Sequence, residues 1–127
     1  MNEILLDTSV VVDFLRRKDK ENALLYPLLN QKLLISIVTH TELFGGKSAW
    51  DNNSARDQLI EFLAGVAIIP LNESISKQAG YIKAHKYSRD TLDAIIAATA
   101  IEHNCELVTL NVKDFKKVPD LKLYKSE

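Results

Sequence analysis

The sequence predicts an α/β fold in three layers, α/β/α, around a central parallel sheet of four to five strands. Two observations carry this expectation. Short apolar runs of strand length alternate with segments of helical periodicity, and that alternation lays strands parallel and covers both faces of the sheet with helices. Within it, residues 92–101 are almost wholly apolar, as in a helix buried on all sides. The 127 residues fit one domain with a single sizeable core.

Each element follows from local chemistry. Ile4-Leu5-Leu6 is a buried strand that runs at once into Asp7-Thr8-Ser9, a helix cap. Residues 10–15 form the apolar part of the first helix, and Arg16-Arg17-Lys18 at its end suits the helix dipole. A second helix is expected over residues 20–30, bent near Pro27. Residues 33–38 form the second strand, and Thr39 opens a helix bearing Glu42, Leu43 and Phe44. Gly45-Gly46 in that helix weakens it or lets another backbone approach. Asp51-Asn52-Asn53-Ser54 is a loop and cap before a helix over 56–64, where Leu59, Ile60 and Leu63 fall at helical spacing. Residues 66–69 are the third strand, ended by Pro70. An amphipathic helix follows over 73–86, then a turn at Ser88-Arg89-Asp90, then the apolar helix with Asp93 as its only charge. Residues 106–110 are the fourth strand, 111–115 a turn, and 121–124 a short fifth strand at an edge. No repeat, low-complexity tract or linker interrupts the series.

Composition narrows the function classes. Hydrophobic residues make up 46% and charged residues 26%, the balance of a folded globular chain. Sixteen basic and seventeen acidic residues leave a net charge of −1. That excludes a strongly basic nucleic-acid binder, but not a basic rim beside an acidic centre. Cys105 is the only cysteine, so no intrachain disulfide forms and a reducing, cytoplasmic setting is expected. No apolar run approaches the roughly 20 residues of a membrane span. Met1-Asn2-Glu3 lacks the basic region and apolar stretch of a signal peptide.

Four acids stand out: Asp7, Glu42, Asp93 and Asp114. Singly, each has a local explanation. Asp7 suits an N-cap, and Thr39 with Glu42 spells a capping box. Asp90 caps the helix of Asp93, and Asp114 suits a turn. Jointly they call for more. Ligands gather at the carboxyl ends of parallel strands, near a switch in strand order. Asp7 and Asp114 follow two strands, and Glu42 and Asp93 reach the same edge from helix starts. Carboxylates forced together repel, and a hard divalent cation such as Mg²⁺ neutralises them. The pattern points to a metal-dependent hydrolase acting on a phosphodiester.

Four segments carry a family resemblance: Leu5-Leu6-Asp7-Thr8-Ser9-Val10-Val11-Val12, the stretch from Ser36 to Glu42-Leu43-Phe44-Gly45-Gly46, Leu92-Asp93-Ala94-Ile95-Ile96-Ala97-Ala98-Thr99-Ala100, and Leu107-Val108-Thr109-Leu110-Asn111-Val112-Lys113-Asp114-Phe115. In this order and length the chain resembles PIN-domain ribonucleases, most closely the small VapC-type toxins of prokaryotic toxin–antitoxin pairs. The resemblance implies that residues 1–127 are a single PIN-like nuclease domain. It implies that Asp7, Glu42, Asp93 and Asp114 form the metal site, with Thr8, Thr109 and Asn111 supporting them by hydrogen bonds. It further implies an RNA substrate, a cognate antitoxin protein that blocks the site, and a homodimer.

The expected chemistry is hydrolysis of RNA by water activated by Mg²⁺ or Mn²⁺. Because Mg²⁺ takes only one or two direct carboxylates, some of the four acids would act through water. Phosphate contacts must come from a basic rim. Arg16 and Arg17 are the favoured candidates, ahead of Lys18, Lys113, Lys116 and Lys117. Two other functions compete. An acidic-pocket phosphatase or phosphotransfer domain wants a second acid near Asp7, where Ser9 stands instead. A non-catalytic binding module of the same fold needs none of the four acids. His40, His85 and His103 lack metal-ligand spacing. Cys105 is expected in or near the core, and so are Phe44 and Trp50, with a groove for a partner helix as the alternative for those two aromatics.

Overall fold

The computed structural model describes residues 2–126. Its centre is a four-stranded sheet of β1 (Glu3–Leu6), β2 (Lys32–Ser36), β3 (Val66–Ile69) and β4 (Glu106–Val108), in the order β3-β2-β1-β4. All pairings are parallel, with Leu5 opposite both Leu34 and Leu107. The chain moves outward from β1 through β2 to β3, then crosses back to add β4 on the other side of β1. The strand order therefore reverses between β1 and β4, where a parallel sheet opens a crevice at its carboxyl edge.

Side chains alternate across the sheet and divide the core in two. Leu5, Leu34 and Leu107 face α5 (Glu73–Ala84) and α6 (Thr91–Glu102), meeting Ile75, Ile82, Ile96 and Phe115. Ile4, Leu6, Ile35 and Val108 face the other way, toward Val10, Val11, Leu25 and Leu59. That second layer contains α1 (Thr8–Arg16), α2 (Ile37–Phe44), α3 (Ser48–Asp51) and α4 (Asn53–Leu63). In α6, Ala94, Ala97, Ala98 and Ala100 are all buried, so the small side chains let its backbone lie close to α5 and the sheet. Thr99, also buried, donates to Ile95 O at 2.7 Å.

Several elements differ from expectation. Residues 20–30 form two 3₁₀ turns, Lys20–Asn22 and Tyr26–Leu28, in place of a bent helix. Ala23, Leu25 and Leu28 are the buried positions there, and at about 100° per residue they do not share one helical face. β2 stops at Ser36, whose hydroxyl accepts from Val38 N at 3.2 Å and caps α2. Thr39 is therefore inside the helix and buried, and the Thr39–Glu42 capping box does not form. Gly45 follows α2 as its C-cap, so the glycine pair ends the helix. Trp50 is 61% exposed and donates from Nε1 to Phe44 O at 2.6 Å, which removes it from the core. Phe44 is half-buried. Residues 112–115 are helical, α7 (Val112–Phe115), because Phe115 is drawn into the core. The fifth strand reduces to a single parallel bridge, Leu107 to Leu123.

Lys20 anchors the segment after α1. Lys20 Nζ donates to Phe14 O, Leu15 O and Arg17 O at 2.7–3.0 Å and lies 5.1 Å from the Phe14 ring centroid. A cation on the last carbonyls of a helix satisfies acceptors that have no intrahelical donor and meets the negative end of the dipole. Lys20→Ala should lower stability by about 1–2 kcal/mol, read as a lower urea midpoint at unchanged slope. An unaltered midpoint would mean that water replaces the ammonium without cost.

Candidate active site at the carboxyl edge of the sheet

Asp7 stands at the reversal in strand order. Its backbone N–H donates to Val108 O at 2.9 Å, which extends the β1–β4 ladder by one residue. Its side chain is 4% exposed, so its oxygens need partners. Oδ1 accepts from Thr8 N at 2.9 Å, and Oδ2 accepts from Ser9 Oγ at 2.8 Å and Thr109 Oγ1 at 2.7 Å. Thr109 directly follows β4 and accepts in turn from Asn111 N at 2.9 Å. Ser9 Oγ also accepts from Leu110 N at 3.2 Å. A carboxylate offers about four acceptor sites, so Oδ1, with one donor on it, keeps spare acceptor capacity.

Thr8 links the second acid. Its hydroxyl donates to Glu42 Oε1 at 2.6 Å and lies 3.3 Å from Thr39 Oγ1. Glu42, one turn from the buried Thr39 and next to the buried Leu43, is exposed at the rim. Asp93 occupies the first turn of α6, and its backbone N–H donates to Asp90 Oδ1 at 3.0 Å. Asp90 is thus the N-cap of that helix, as its spacing predicts. Asp114 sits on α7, with its backbone N–H on Asn111 O at 2.9 Å. Asp90, Asp93 and Asp114 line one cleft of about 370 Å³.

Electrostatics join the four acids. Burial first, and then the charges of Asp90, Asp7, Asp114 and Glu42, push the Asp93 carboxyl from its ordinary 3.8 up to about 7. Carboxylates from four separate elements therefore bear on one centre. Among the described residues, no lysine or arginine makes an ion pair with any of them. Nor do three of them come close enough to enclose an ion directly. The acids are coupled through space without closing into one coordination shell. Their donors are hard carboxylate oxygens, the chemistry preferred by Mg²⁺ and Mn²⁺. The arrangement fits a hydrated cation held by one or two carboxylates, with the others reaching it through water; it does not fit a closed protein cage.

The basic residues are placed differently from expectation. Arg17 is bound back to Asp13, at 3.0 and 3.1 Å, and to Asp19 at 3.4 Å, so its guanidinium is already engaged. Arg16 is exposed and lines a smaller groove of about 130 Å³ beside Glu42. Lys113 and Lys117 line the acidic cleft itself, together with Lys86 and Arg89. Sequence reasoning missed Lys86, Arg89 and Ser9. Ser9 had a visible signal, a hydroxyl two residues after a capping acid; Lys86 and Arg89 had none. His40 packs on Phe44, with ring centroids 4.9 Å apart. Cys105 is buried, and its thiol is pushed up to about 11, chiefly by burial.

Comparison with known proteins adds a separate line of support. A family model described as PIN domain matches residues 4–121. The chain is 32% identical over 124 residues to ribonuclease VapC19 of Mycobacterium tuberculosis, covering 92% of this chain and 95% of that protein. It is 31% identical over 128 residues to ribonuclease VapC1 of Rickettsia felis, covering 94% and 93%. It superposes at a TM-score of 0.80 and 25% identity on a chain from the crystal structure of Rickettsia felis VapBC2 bound to a promoter DNA fragment, covering 98% and 99%. A chain from a toxin–antitoxin complex of Klebsiella pneumoniae matches at a TM-score of 0.75 and 27% identity, covering 97% and 99%.

Two outcomes follow from the geometry. The Asp93 carboxyl titrates near 3.8 unfolded and about 7 folded, so between those values the folded chain holds the extra proton. Its contribution to stability is complete below about pH 4 and is lost as pH rises through 7. In EDTA, Asp93→Asn should therefore raise Tm at pH 8 and leave it nearly unchanged at pH 4; an equal shift at both would refute the assigned cause. Thr109→Val removes a donor from buried Asp7 and should destabilise by about 1–3 kcal/mol, measured by urea denaturation.

Proposed function

The chain belongs to the PIN-domain family, and on that premise we propose that it is a VapC-type endoribonuclease, the toxin of a toxin–antitoxin pair, dependent on Mg²⁺ or Mn²⁺. Residues 1–127 would act as one nuclease domain. The observation that carries this reading is the Asp93 carboxyl, half-buried at the carboxyl edge of the sheet within reach of the charges of Asp7, Glu42 and Asp114 from three other elements, with no protein cation paired to any of the four among the described residues.

Asp7, Glu42, Asp93 and Asp114 would hold the metal. Bound there, it supplies a Lewis acid that lowers the pKa of water and neutralises charge on the phosphoryl oxygens. The protein's own contribution is orientation. Three donors fix the Asp7 carboxylate, and Thr8 holds Glu42 toward it. Thr109 is itself held by the Asn111 backbone, so Asn111 supports the site through its N–H. Asp90 fixes the first turn of α6, and with it the backbone of Asp93. Arg16 would contact RNA phosphate; Arg17 is the weaker candidate because of its pairing with Asp13 and Asp19.

Partners follow from the relatives, whose solved structures include a VapBC2 pair and a toxin–antitoxin complex. A cognate antitoxin is proposed to cover the acids, and the largely apolar groove of half-buried His40 and Phe44 with exposed Gly45 and Trp50 suits its helix. A homodimer and a cytoplasmic location belong to the same reading. No described helix is long and apolar enough to cross a membrane.

The test is cleavage of total RNA by pure protein. Wild type should cut with Mg²⁺ or Mn²⁺ and not in EDTA. Asp7→Asn and Asp93→Asn should lose activity by about a thousandfold or more while keeping a folded Tm. Full activity in Asp93→Asn, or in EDTA, would overturn the proposal. An aspartyl-phosphate adduct would favour a phosphotransfer domain, and RNA binding without cleavage a binding module.

A further inference from the structure

The end of α5 carries a residue that local structure disfavours. Tyr87 N donates to Ile82 O at 3.1 Å and Lys86 N to Lys83 O at 3.0 Å. These paired bonds form a Schellman motif, whose left-handed position usually takes glycine. Here it is Lys86, at φ 60. The other left-handed non-glycine residues among those described are Asn104 and Asp120, types that tolerate this conformation well. Lysine has no such excuse, and strain kept at a cleft is a pointer to function.

The surroundings of Lys86 say what it would hold. Lys86, Arg89, Lys113 and Lys117 line the cleft that also contains Asp93 and Asp114. All four are exposed, and among the described residues none makes an ion pair. Next to them lies an aromatic face. The His85 and Tyr87 rings are nearly parallel, 11° apart with centroids at 5.7 Å, and Tyr81 lies 4.2 Å from His85. Tyr81 is 53% exposed, and Tyr87 also lines the cleft. Cations beside aromatic rings at a cleft, here half-buried Tyr87 and exposed Tyr81 and His85, suit a backbone phosphate and an unstacked base.

Resting on the ribonuclease reading, we propose that the turn after α5 is the RNA track of this enzyme: Lys86 and Arg89 hold phosphates, and the Tyr87–His85–Tyr81 face stacks an unpaired base beside the acidic centre. Duplex RNA offers phosphates but no splayed base, so the track favours an unpaired strand over a duplex of equal length. Lys86 is kept where glycine would relieve strain because its charge is needed at that point of the cleft.

The test separates this track from the catalytic assignment. Binding of a fluorescein-labelled unpaired 12-mer and of the matching duplex is followed by anisotropy in EDTA across a salt series, with metal-dependent cleavage measured in parallel. Lys86→Gly should keep or raise Tm, weaken RNA binding several-fold, and reduce the log–log salt slope by roughly 0.7. Tyr87→Leu should weaken the unpaired strand about five- to hundredfold and leave the duplex within twofold. Unchanged binding in Lys86→Gly overturns the track, even if cleavage and the role of Asp93 stand. No binding by wild type also overturns it. So does a Tyr87→Leu variant that changes only the oligomeric state, since the aromatic face would then belong to a second copy. Loss of cleavage in Asp93→Asn with Lys86-dependent binding intact would support both assignments; binding without wild-type cleavage would keep the track and sink the ribonuclease reading.

Discussion

Asp7 is a buried carboxylate at the meeting point of three chain segments, and the site depends on how its oxygens are satisfied. An unpartnered charge at that depth would cost several kcal/mol. Its donors come from the first turn of α1 and from the residue after β4. Satisfying Asp7 therefore fastens the 109–111 segment against the start of α1. Asp114 on α7 follows from the same segment, since its backbone N–H is held by Asn111 O. One carboxylate thus has a structural and a chemical part at once: it closes the strand-order reversal and leaves Oδ1 with spare acceptor capacity.

Of the remaining acids, Asp93 works against folding once it is charged. Asp93 is pushed up to about 7 by burial and by the charges around it, which outweighs what an acid in the first turn of a helix gains from the dipole. Repulsion of this kind is tolerated where function uses it. The basic residues answer the same field from a distance. Lys86, Arg89, Lys113 and Lys117 share the cleft with Asp93 and Asp114 without pairing to them. Their charges stay free to meet an anion, whereas Arg17 is spent on Asp13 and Asp19.

Where sequence reasoning failed, a competing contact overrode the signal that spacing gave. Thr39 and Glu42 are spaced as a capping box, but Ser36 takes the cap and Thr39 is buried beside Thr8. Residues 20–30 have helical composition, yet burial of Leu25 and Leu28 and the reach of Lys20 back to α1 break the segment into turns. Trp50 reads as a core residue and is exposed, because its indole N–H finds Phe44 O at the surface. Local spacing succeeds for the Asp90 cap, whose partner lies three residues away, and for strands β1 and β3, whose short apolar runs are legible although their pairing partners are distant in sequence.

The sequence by itself determined the alternation of strands and helices, the apolar α6 with its lone carboxylate, and the four acids together with the family pattern they belong to. These are properties of residue type and spacing, which need no folding to read. Only the tertiary structure decided that Ser9 joins Thr109 on Asp7, that Arg17 is occupied, and that Lys86 and Arg89 share the acids' cleft. Each of those depends on segments far apart in the chain meeting at the carboxyl edge of the sheet, and spacing along a sequence carries no distance across a fold.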